Sequence, residues 1–235
     1  MDFDHRICVN EYGFYCVPAA YEKREIPKVL AAGEVYEPNT LRLMRRRLGD
    51  GDIVTGGAFI GDFFPALCSC LAPGARLISF EPNPLSFAAA EQTIALNGLT
   101  NAVLSPVAVG DAPGQLPLQL SRKGGSASAA RAKIITDEEE NPGDTVMVEV
   151  VTLDSLVAPG RDVSVLHLDV EGFEKQALLG ATRLIRDSAP MIILEAERPW
   201  QRAMYRDFLG EHFPSVGYQL CGGLERNAIF LAQPR

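Results

Sequence analysis

Glycines follow the first of several short apolar runs, at a point where a small-molecule site could form. The stretch TGGAFIGDF, residues 55–63, ends a predicted strand at Gly57 and begins a helix near Gly61. Glycine lets the backbone turn tightly and approach a ligand at the carboxyl edge of a sheet. The spacing misses the dinucleotide fingerprint G-x-G-x-x-G, because Ala58 and Phe59 stand where a second glycine is needed. We expect a ligand site here, and a structural turn is the alternative.

An acid follows the next predicted strand. RLISF leads directly into Glu81, at the place where nucleotide-binding sheets hold a ribose. A carboxylate suits that place because it accepts hydrogen bonds from both hydroxyls of an unphosphorylated ribose. The pattern predicts that Glu81 binds a ribose, and an exposed glutamate before a proline turn is the alternative.

Three more acids lie in LHLDVEGFEKQALLGA, residues 166–181. A buried type of strand ends at Asp169, and a helix is expected from about 171 to 186. Asp169 and Glu171 should face the same pocket as the glycines and Glu81, where either could remove a proton if burial raised its pKa. Glu174 is interpreted as a structural partner of the helix dipole.

Short apolar runs alternate with helical stretches from residue 52 onward, which predicts a parallel sheet with helices on both faces. VMVEVVTL is expected to resume this alternation after an excursion over 110–145, interpreted as a lid or a solvated loop. VGYQL and AIFLA predict a final antiparallel strand pair. Residues 1–50 form a lead-in cap with a helix over 40–48, and the chain is expected to be one domain over 1–235.

Composition narrows the function classes. The 235 residues are 47% hydrophobic and 22% charged, as in a soluble globular domain, and the net charge of −8 disfavours nucleic acid and anionic membranes. The one basic cluster is interpreted as the solvent-exposed face of an amphipathic helix: Arg42, Arg45, Arg46 and Arg47. No apolar run is long enough for a membrane span. Five cysteines without a C-x-x-C pair argue against disulfides and zinc, and indicate a reducing cytoplasm.

The motifs together resemble the FkbM-type S-adenosylmethionine-dependent methyltransferases. The resemblance covers about 37–197 and rests on GGAFIG, FEPNP, VAVGD, TLD, LDVEGFE and ILEAE, in that order. It implies an α/β, Rossmann-like class I methyltransferase with a mostly parallel seven-stranded sheet and a final antiparallel pair. The implied reaction moves a methyl group from S-adenosylmethionine to a hydroxyl of a small molecule, often a sugar or a natural product.

The resemblance also implies roles for individual residues. Gly57, Ala58 and Gly61 match the loop under the methionine part of the cofactor, and Glu81, with Asn83 beside it, matches the acid that binds the ribose. Asp169 matches the aspartate near the methyl group, with Glu171 as the other candidate for a catalytic role. The remaining matches are Ala108 and Val109 beside the adenine, and Glu37 at the cofactor's amino-acid end.

Two positions depart from the family pattern D-x-G-A-N-x-G. Thr55 replaces the leading Asp and Phe59 replaces the Asn, so Asp52, Asp62 or Glu37 would have to supply charge to the cofactor's ammonium group. His167 stands where the family more often has Lys, and is interpreted as a core histidine.

Two other functions stay open from the sequence. A nicotinamide-dependent oxidoreductase would also place an acid at a strand end, although the missing fingerprint opposes it. The altered first loop is also compatible with a binding protein that uses a methyltransferase scaffold without catalysis.

Overall fold

The computed structural model describes residues 3–47, 49–120, 133–134 and 144–233. The chain begins with an antiparallel hairpin of β1 (His5–Asn10) and β2 (Gly13–Pro18), followed by a short 3-10 helix (Ala19–Tyr21). Helices α1 (Glu25–Ala31) and α2 (Pro38–Arg47) complete this N-terminal cap. On the apolar side of α2, Leu41 and Met44 are buried. On the other side Arg42, Arg46 and Arg47 are exposed, as the amphipathic pattern predicts.

Two sheets contain the other strands. In chain order these strands are β3 (Asp52–Gly56), β4 (Leu77–Phe80), β5 (Ala102–Ser105), β6 (Ala108–Val109), β7 (Gly114–Gln119), β8 (Lys133–Ile134), β9 (Thr145–Val151), β10 (Val163–Leu168), β11 (Met191–Glu195), β12 (Gln219–Leu224) and β13 (Asn227–Leu231). The main sheet has seven strands in the order β12-β13-β11-β10-β3-β4-β5. Its strands from β11 to β5 run parallel, and β13 and β12 pair antiparallel. The expected α/β fold with a final antiparallel pair is confirmed.

Short helices connect the strands. They are α3 (Phe64–Cys68), α4 (Pro84–Leu96), α5 (Leu153–Leu156), α6 (Glu174–Leu179), α7 (Thr182–Ser188) and α8 (Pro199–His212). The single helix expected over 171–186 is two helices, α6 and α7, with Gly180 between them. A side chain at Gly180 would collide with the carbonyl oxygen of Gly110, so the chain needs glycine for this close approach.

A second, four-stranded sheet follows the order β6-β9-β7-β8. The expectation that VMVEVV joins the parallel sheet is wrong, because β9 pairs antiparallel with β7 and parallel with β6. Met147 and Glu149 are exposed while Val148 and Val150 are buried, an alternation typical of a strand with one wet face. Within the expected 110–145 excursion, residues 114–119 and 133–134 are strands, and β9 begins at its last residue. Its parts 121–132 and 135–143 lie outside the described residues.

The main sheet is buried on both faces by apolar clusters that fix the strand ends. One cluster includes Val54, Leu166 and Phe230, and the other includes Ile53, Val165 and Ile193. Asp52 begins the central strand β3 in a pair with the Arg161 guanidinium and accepts a hydrogen bond from the backbone of Arg76. Among the described residues, no helix is long and apolar enough to cross a membrane.

Candidate active site

A cavity of about 300 Å³ opens at the carboxyl ends of β3, β4 and β10. Gly57, Glu81 and Asp169 each follow the last residue of one of these strands. Because parallel strands end at the same edge of a sheet, these three residues meet around one space. Seven predicted site residues line the cavity: Gly57, Glu81, Asn83, Ala108, Val109, Asp169 and Glu171.

Three predicted site residues lie outside the cavity wall. Ala58 is buried and donates its backbone N–H to the carbonyl of Phe80, and Gly61 donates its own to the carbonyl of Ala58 at 2.7 Å. Gly61 also has a φ of +77°, which favours glycine. Glu37 accepts a hydrogen bond at 2.6 Å from Asn227. The first two shape the loop after β3, and Glu37 joins the cap to β13.

Glu81 is fixed by the backbone on both of its carboxylate oxygens. Phe59 donates its N–H to Oε2 at 2.8 Å, and Asn83 donates its N–H to Oε1 at 2.9 Å. Burial raises the pKa of Glu81 to about 7, against the effect of these hydrogen bonds and of the Arg24 charge. Each oxygen has further lone-pair capacity, so the carboxylate can still accept hydrogen bonds from a ligand.

Asn83 caps α4 from the cavity wall. Its side-chain oxygen accepts from the backbone N–H of Leu85 at 3.0 Å and of Ser86 at 3.4 Å, which satisfies donors that a helix N-terminus leaves without partners. Pro84 at the first helical position suits the same start. The local sequence EPNP thus sets the positions of both Glu81 and Asn83.

Gly57 and Asp169 lie against each other at the tips of β3 and β10. Gly57 has a φ of +77°, and a side chain there would collide with the carbonyl oxygen of Asp169. Asp169 donates its backbone N–H to the carbonyl of Gly56 at 3.2 Å. Glycine is therefore required by the approach of a neighbouring strand as well as by the turn.

Glu174 braces the loop that carries Glu171. Its Oε1 accepts from the backbone N–H groups of Val170 and Gly172, both at 3.1 Å, and its Oε2 accepts from the hydroxyl of Tyr205 at 2.9 Å. Glu171 has a φ of +52° in this loop, and α6 begins only at Glu174. The interpretation of Glu174 as structural agrees with these contacts, but its partners are loop amides and a tyrosine.

The departures at positions 55 and 167 form one buried contact. Thr55 and His167 are paired across β3 and β10, and Thr55 Oγ1 lies 2.9 Å from His167 Nδ1. Burial lowers the pKa of His167 to about 4, so the ring is neutral, and it stacks on Phe63 with ring centroids 5.7 Å apart. Neither residue lines the cavity, which agrees with a core role for His167.

Two of the three acids considered for the cofactor's ammonium group lie close together. Burial, together with a smaller effect of the negative charge of Glu37, raises the pKa of Asp62 to about 7. Burial also raises the pKa of Glu37. Asp52, by contrast, is engaged by Arg161 at the start of β3, away from the cavity.

Sequence reasoning missed the cap residues that line the cavity. Arg24 lies with its guanidinium carbon 4.3 Å from the ring centroid of Tyr21 and 5.3 Å from that of Phe59, and these two rings stack on each other. Glu25, Ile26 and Tyr36 also line the cavity, together with Arg226 from the turn before β13. The sequence signal for these residues is the high density of aromatic and charged residues in YEKRE and VYEP. Such a density has no characteristic spacing from which a binding site could be predicted.

Comparison with known families decides the assignment. The family model described as the methyltransferase FkbM domain matches residues 56–220, which begin at the last residue of β3 and include β4, β10 and the strand-end residues around the cavity. The chain belongs to the FkbM methyltransferase family. No curated protein matches it by sequence.

Solved structures share the fold of this FkbM protein. The methyltransferase FkbM from Methylobacillus flagellatus KT aligns with a TM-score of 0.53 at 13% identity, over 92% of this chain and 62% of that one. Trm5b from Pyrococcus abyssi aligns with a TM-score of 0.52 at 12% identity, over 99% and 56%. M. jannaschii TYW2, solved in complex with AdoMet, aligns with a TM-score of 0.52 at 11% identity, over 99% and 89%. The chain spans less than two thirds of the first two structures, and identities this low show a Rossmann-like methyltransferase fold alone.

Proposed function

We propose that this FkbM methyltransferase uses S-adenosylmethionine to methylate a hydroxyl of a small molecule, for which a sugar or a natural product is the class implied by the family resemblance. The proposal rests on the geometry of Glu81. Its buried carboxylate lies at the end of β4 and accepts hydrogen bonds from two backbone N–H groups. An acid at this position of a nucleotide-binding sheet accepts hydrogen bonds from the hydroxyls of an unphosphorylated ribose.

The walls of the cavity fit the other parts of the cofactor. Ala108 and Val109 give the cavity wall an apolar surface, which suits an adenine. Gly57 offers backbone without a side chain, so a ligand can approach the strand end closely. Ala58 and Gly61 act by holding the shape of this loop. Glu37 and Asp62 do not line the cavity, and they are the acids proposed to attract the ammonium group of the amino-acid end from behind its wall.

S-adenosylmethionine, when bound, supplies a methyl group that its sulfonium charge already activates. The residues of this chain then have to hold the acceptor and remove the proton of its hydroxyl. Asp169 is the proposed proton acceptor, because it lies at the tip of a central strand and lines the cavity. Glu171 lines the same cavity and is the second candidate. Positioning by the fixed strand ends lowers the barrier further.

The charges of the cavity support an acceptor that is not a polyanion. Its acids Glu25, Glu81, Asp169 and Glu171 outnumber its two basic residues, Arg24 and Arg226. A phosphate backbone is attracted by an excess of basic groups, whereas the chain as a whole carries a net charge of −8. We therefore propose a small-molecule acceptor rather than nucleic acid, although tRNA methyltransferases share the fold.

The cap and the core act as one unit in this proposal, since residues 24–36 supply part of the cavity wall. This supports a single domain over 1–235. We also propose the cytoplasm as the compartment, because all five cysteines are free thiols and three of them are buried.

Thermal shift with S-adenosylhomocysteine, with NAD and without ligand tests the cofactor. A ligand that binds only the native state stabilises it by about 2.7 kcal/mol at a hundredfold excess over its dissociation constant. We expect stabilisation by S-adenosylhomocysteine and none by NAD. The reverse result would favour an oxidoreductase, and transfer of a labelled methyl group to an acceptor pool would distinguish an enzyme from a binding protein.

A further inference from the structure

Three successive residues at the turn into β13 form hydrogen bonds with the N-terminal cap: Glu225, Arg226 and Asn227. Glu225, the first of them, accepts hydrogen bonds at the start of α2. Its Oε2 accepts from the backbone N–H of Thr40 at 2.8 Å, and its Oε1 accepts from the backbone and side-chain nitrogens of Asn39 at 3.1 and 3.2 Å. A side chain more than 180 positions away in sequence thus satisfies the donors at this helix end.

Asn227 makes the most buried contact of the three. It is 2% exposed, and its Nδ2 donates to Glu37 Oε2 at 2.6 Å and to Thr40 Oγ1 at 3.2 Å. Breaking such contacts would leave polar groups buried without partners, at a cost of about 1–3 kcal/mol each. Glu225 and Asn227 therefore fix the start of α2 to the sheet.

Arg226, between them, contacts two other residues of the cavity wall. Its Nη2 donates to Glu25 Oε2 at 2.9 Å and its Nη1 donates to the Tyr36 hydroxyl at 3.3 Å, while its Nε lies 3.4 Å from Glu197 Oε1. Arg226, Glu25 and Tyr36 all line the cavity. The side chains of Arg226 and Glu25 are 32% and 56% exposed, and exposed ion pairs stabilise by only about 0–1 kcal/mol.

The small size of the cavity favours a wall that moves when a ligand binds. Ligand pockets commonly have about 300–1,000 Å³, so this cavity is at the lower limit for the cofactor alone. The wall formed by the strand ends is fixed by the buried sheet. Residues 24–26 and Tyr36 of the cap, which we call the roof, form another part of the wall, and contacts of Arg226 with Glu25 and Tyr36 join the roof to the turn before β13.

We propose that Arg226 is a positioning residue that holds the roof over the cavity, and that the contacts of Arg226 with Glu25 and Tyr36 break each time a ligand enters or leaves. This inference rests on the proposed function only for the choice of ligand. A latch of this kind stabilises the closed form with and without ligand alike. Weakening it therefore speeds association and dissociation together and leaves the dissociation constant nearly unchanged.

The test measures the rate constants of S-adenosylhomocysteine binding to the full chain by surface plasmon resonance. We expect Arg226→Gln and Glu25→Gln each to raise both rate constants about two- to fivefold, the range for an exposed ion pair. The double variant should resemble Arg226→Gln, because that single variant already removes the contact with Glu25. Arg226→Lys should change the rate constants less than Arg226→Gln does. Lysine keeps the positive charge that faces Glu25, but it lacks the second guanidinium nitrogen that reaches Tyr36.

Arg206→Gln is the matched control, because Arg206 forms an exposed ion pair with Asp207 on α8 outside the cavity. Unchanged rate constants in both single variants, or a rise in dissociation alone, would overturn the latch. A purely structural role would lower the melting temperature without changing the rate constants. Absence of binding in the wild type would overturn the proposed function, and the latch with it.

Discussion

Phe59 donates its backbone N–H to the carboxylate of Glu81 at 2.8 Å, which joins the loop after β3 to the acid after β4. Phe59 has a φ of +47°, so the backbone turns its N–H toward Glu81 at a position where the family pattern has asparagine. The side chain at 59 is thereby directed to another task, the stack with Tyr21 of the cap. The backbone of the altered loop retains a role in the site even though its side chain has changed.

Glu81→Gln should make the stability of the ligand-free protein less sensitive to a rise in pH from 4 to 8. The pKa of Glu81 is raised to about 7 in the folded protein, above the value of about 4.3 in an unfolded chain. The stabilisation linked to its proton is therefore complete below about pH 4 and lost as pH rises through 7. The stability of wild type relative to Glu81→Gln should fall by on the order of 3 kcal/mol from pH 4 to pH 8. Urea unfolding at both pH values measures this difference, and a constant difference would contradict the raised pKa.

Thr55→Asp and His167→Lys should each destabilise the protein, and the double variant should recover part of the loss. Each single change buries a charge beside a neutral partner, whereas together they form an ion pair across β3 and β10. We expect an interaction free energy of about 0.5–3 kcal/mol in a double-mutant cycle, measured by urea unfolding. Strictly additive effects would show that the two departures from the family pattern are independent.

Tyr205→Phe should lower the rate of methyl transfer more than it lowers cofactor affinity. It removes a hydrogen bond to Glu174, the residue that holds the 170–172 loop in place. Tyr218→Phe is the control, since Tyr218 is a buried phenol with one bond to the carbonyl of Pro190. Both changes should cost about 1–3 kcal/mol of stability. Equal rates in the two variants would mean that the brace does not act on the site.

How much of this site the sequence predicts depends on the separation of its parts. Gly57, Glu81 and Asp169 were predictable, because each directly follows a buried strand and parallel strands end at one edge. β9 was misassigned, since its alternating pattern was taken for a strand of the buried sheet. Arg24 and Arg226 were missed because their place depends on contacts such as Arg226 to Glu25, 201 positions apart, which no local pattern encodes.

Asp169→Asn should lower the rate of transfer about 10²- to 10⁴-fold while leaving S-adenosylhomocysteine affinity nearly unchanged, if Asp169 accepts the proton of the acceptor. The substitution preserves the volume of the side chain. Single-turnover kinetics with an identified acceptor, together with calorimetry, measures both quantities. A large loss of affinity with a normal saturated rate would make Asp169 a cofactor-binding residue. If both quantities stayed normal, the transfer site would lie elsewhere.

The most direct test of the account is calorimetric titration of S-adenosylhomocysteine into wild type, Glu81→Ala and Glu91→Ala. Glu91 is an exposed glutamate on α4 outside the cavity, so its variant controls for the loss of one acidic side chain. We expect binding by wild type and Glu91→Ala, and a dissociation constant about 10- to 100-fold higher for Glu81→Ala, because two charge-assisted hydrogen bonds are lost. Equal affinities for all three proteins would contradict the assignment of Glu81 and the cofactor site built around it.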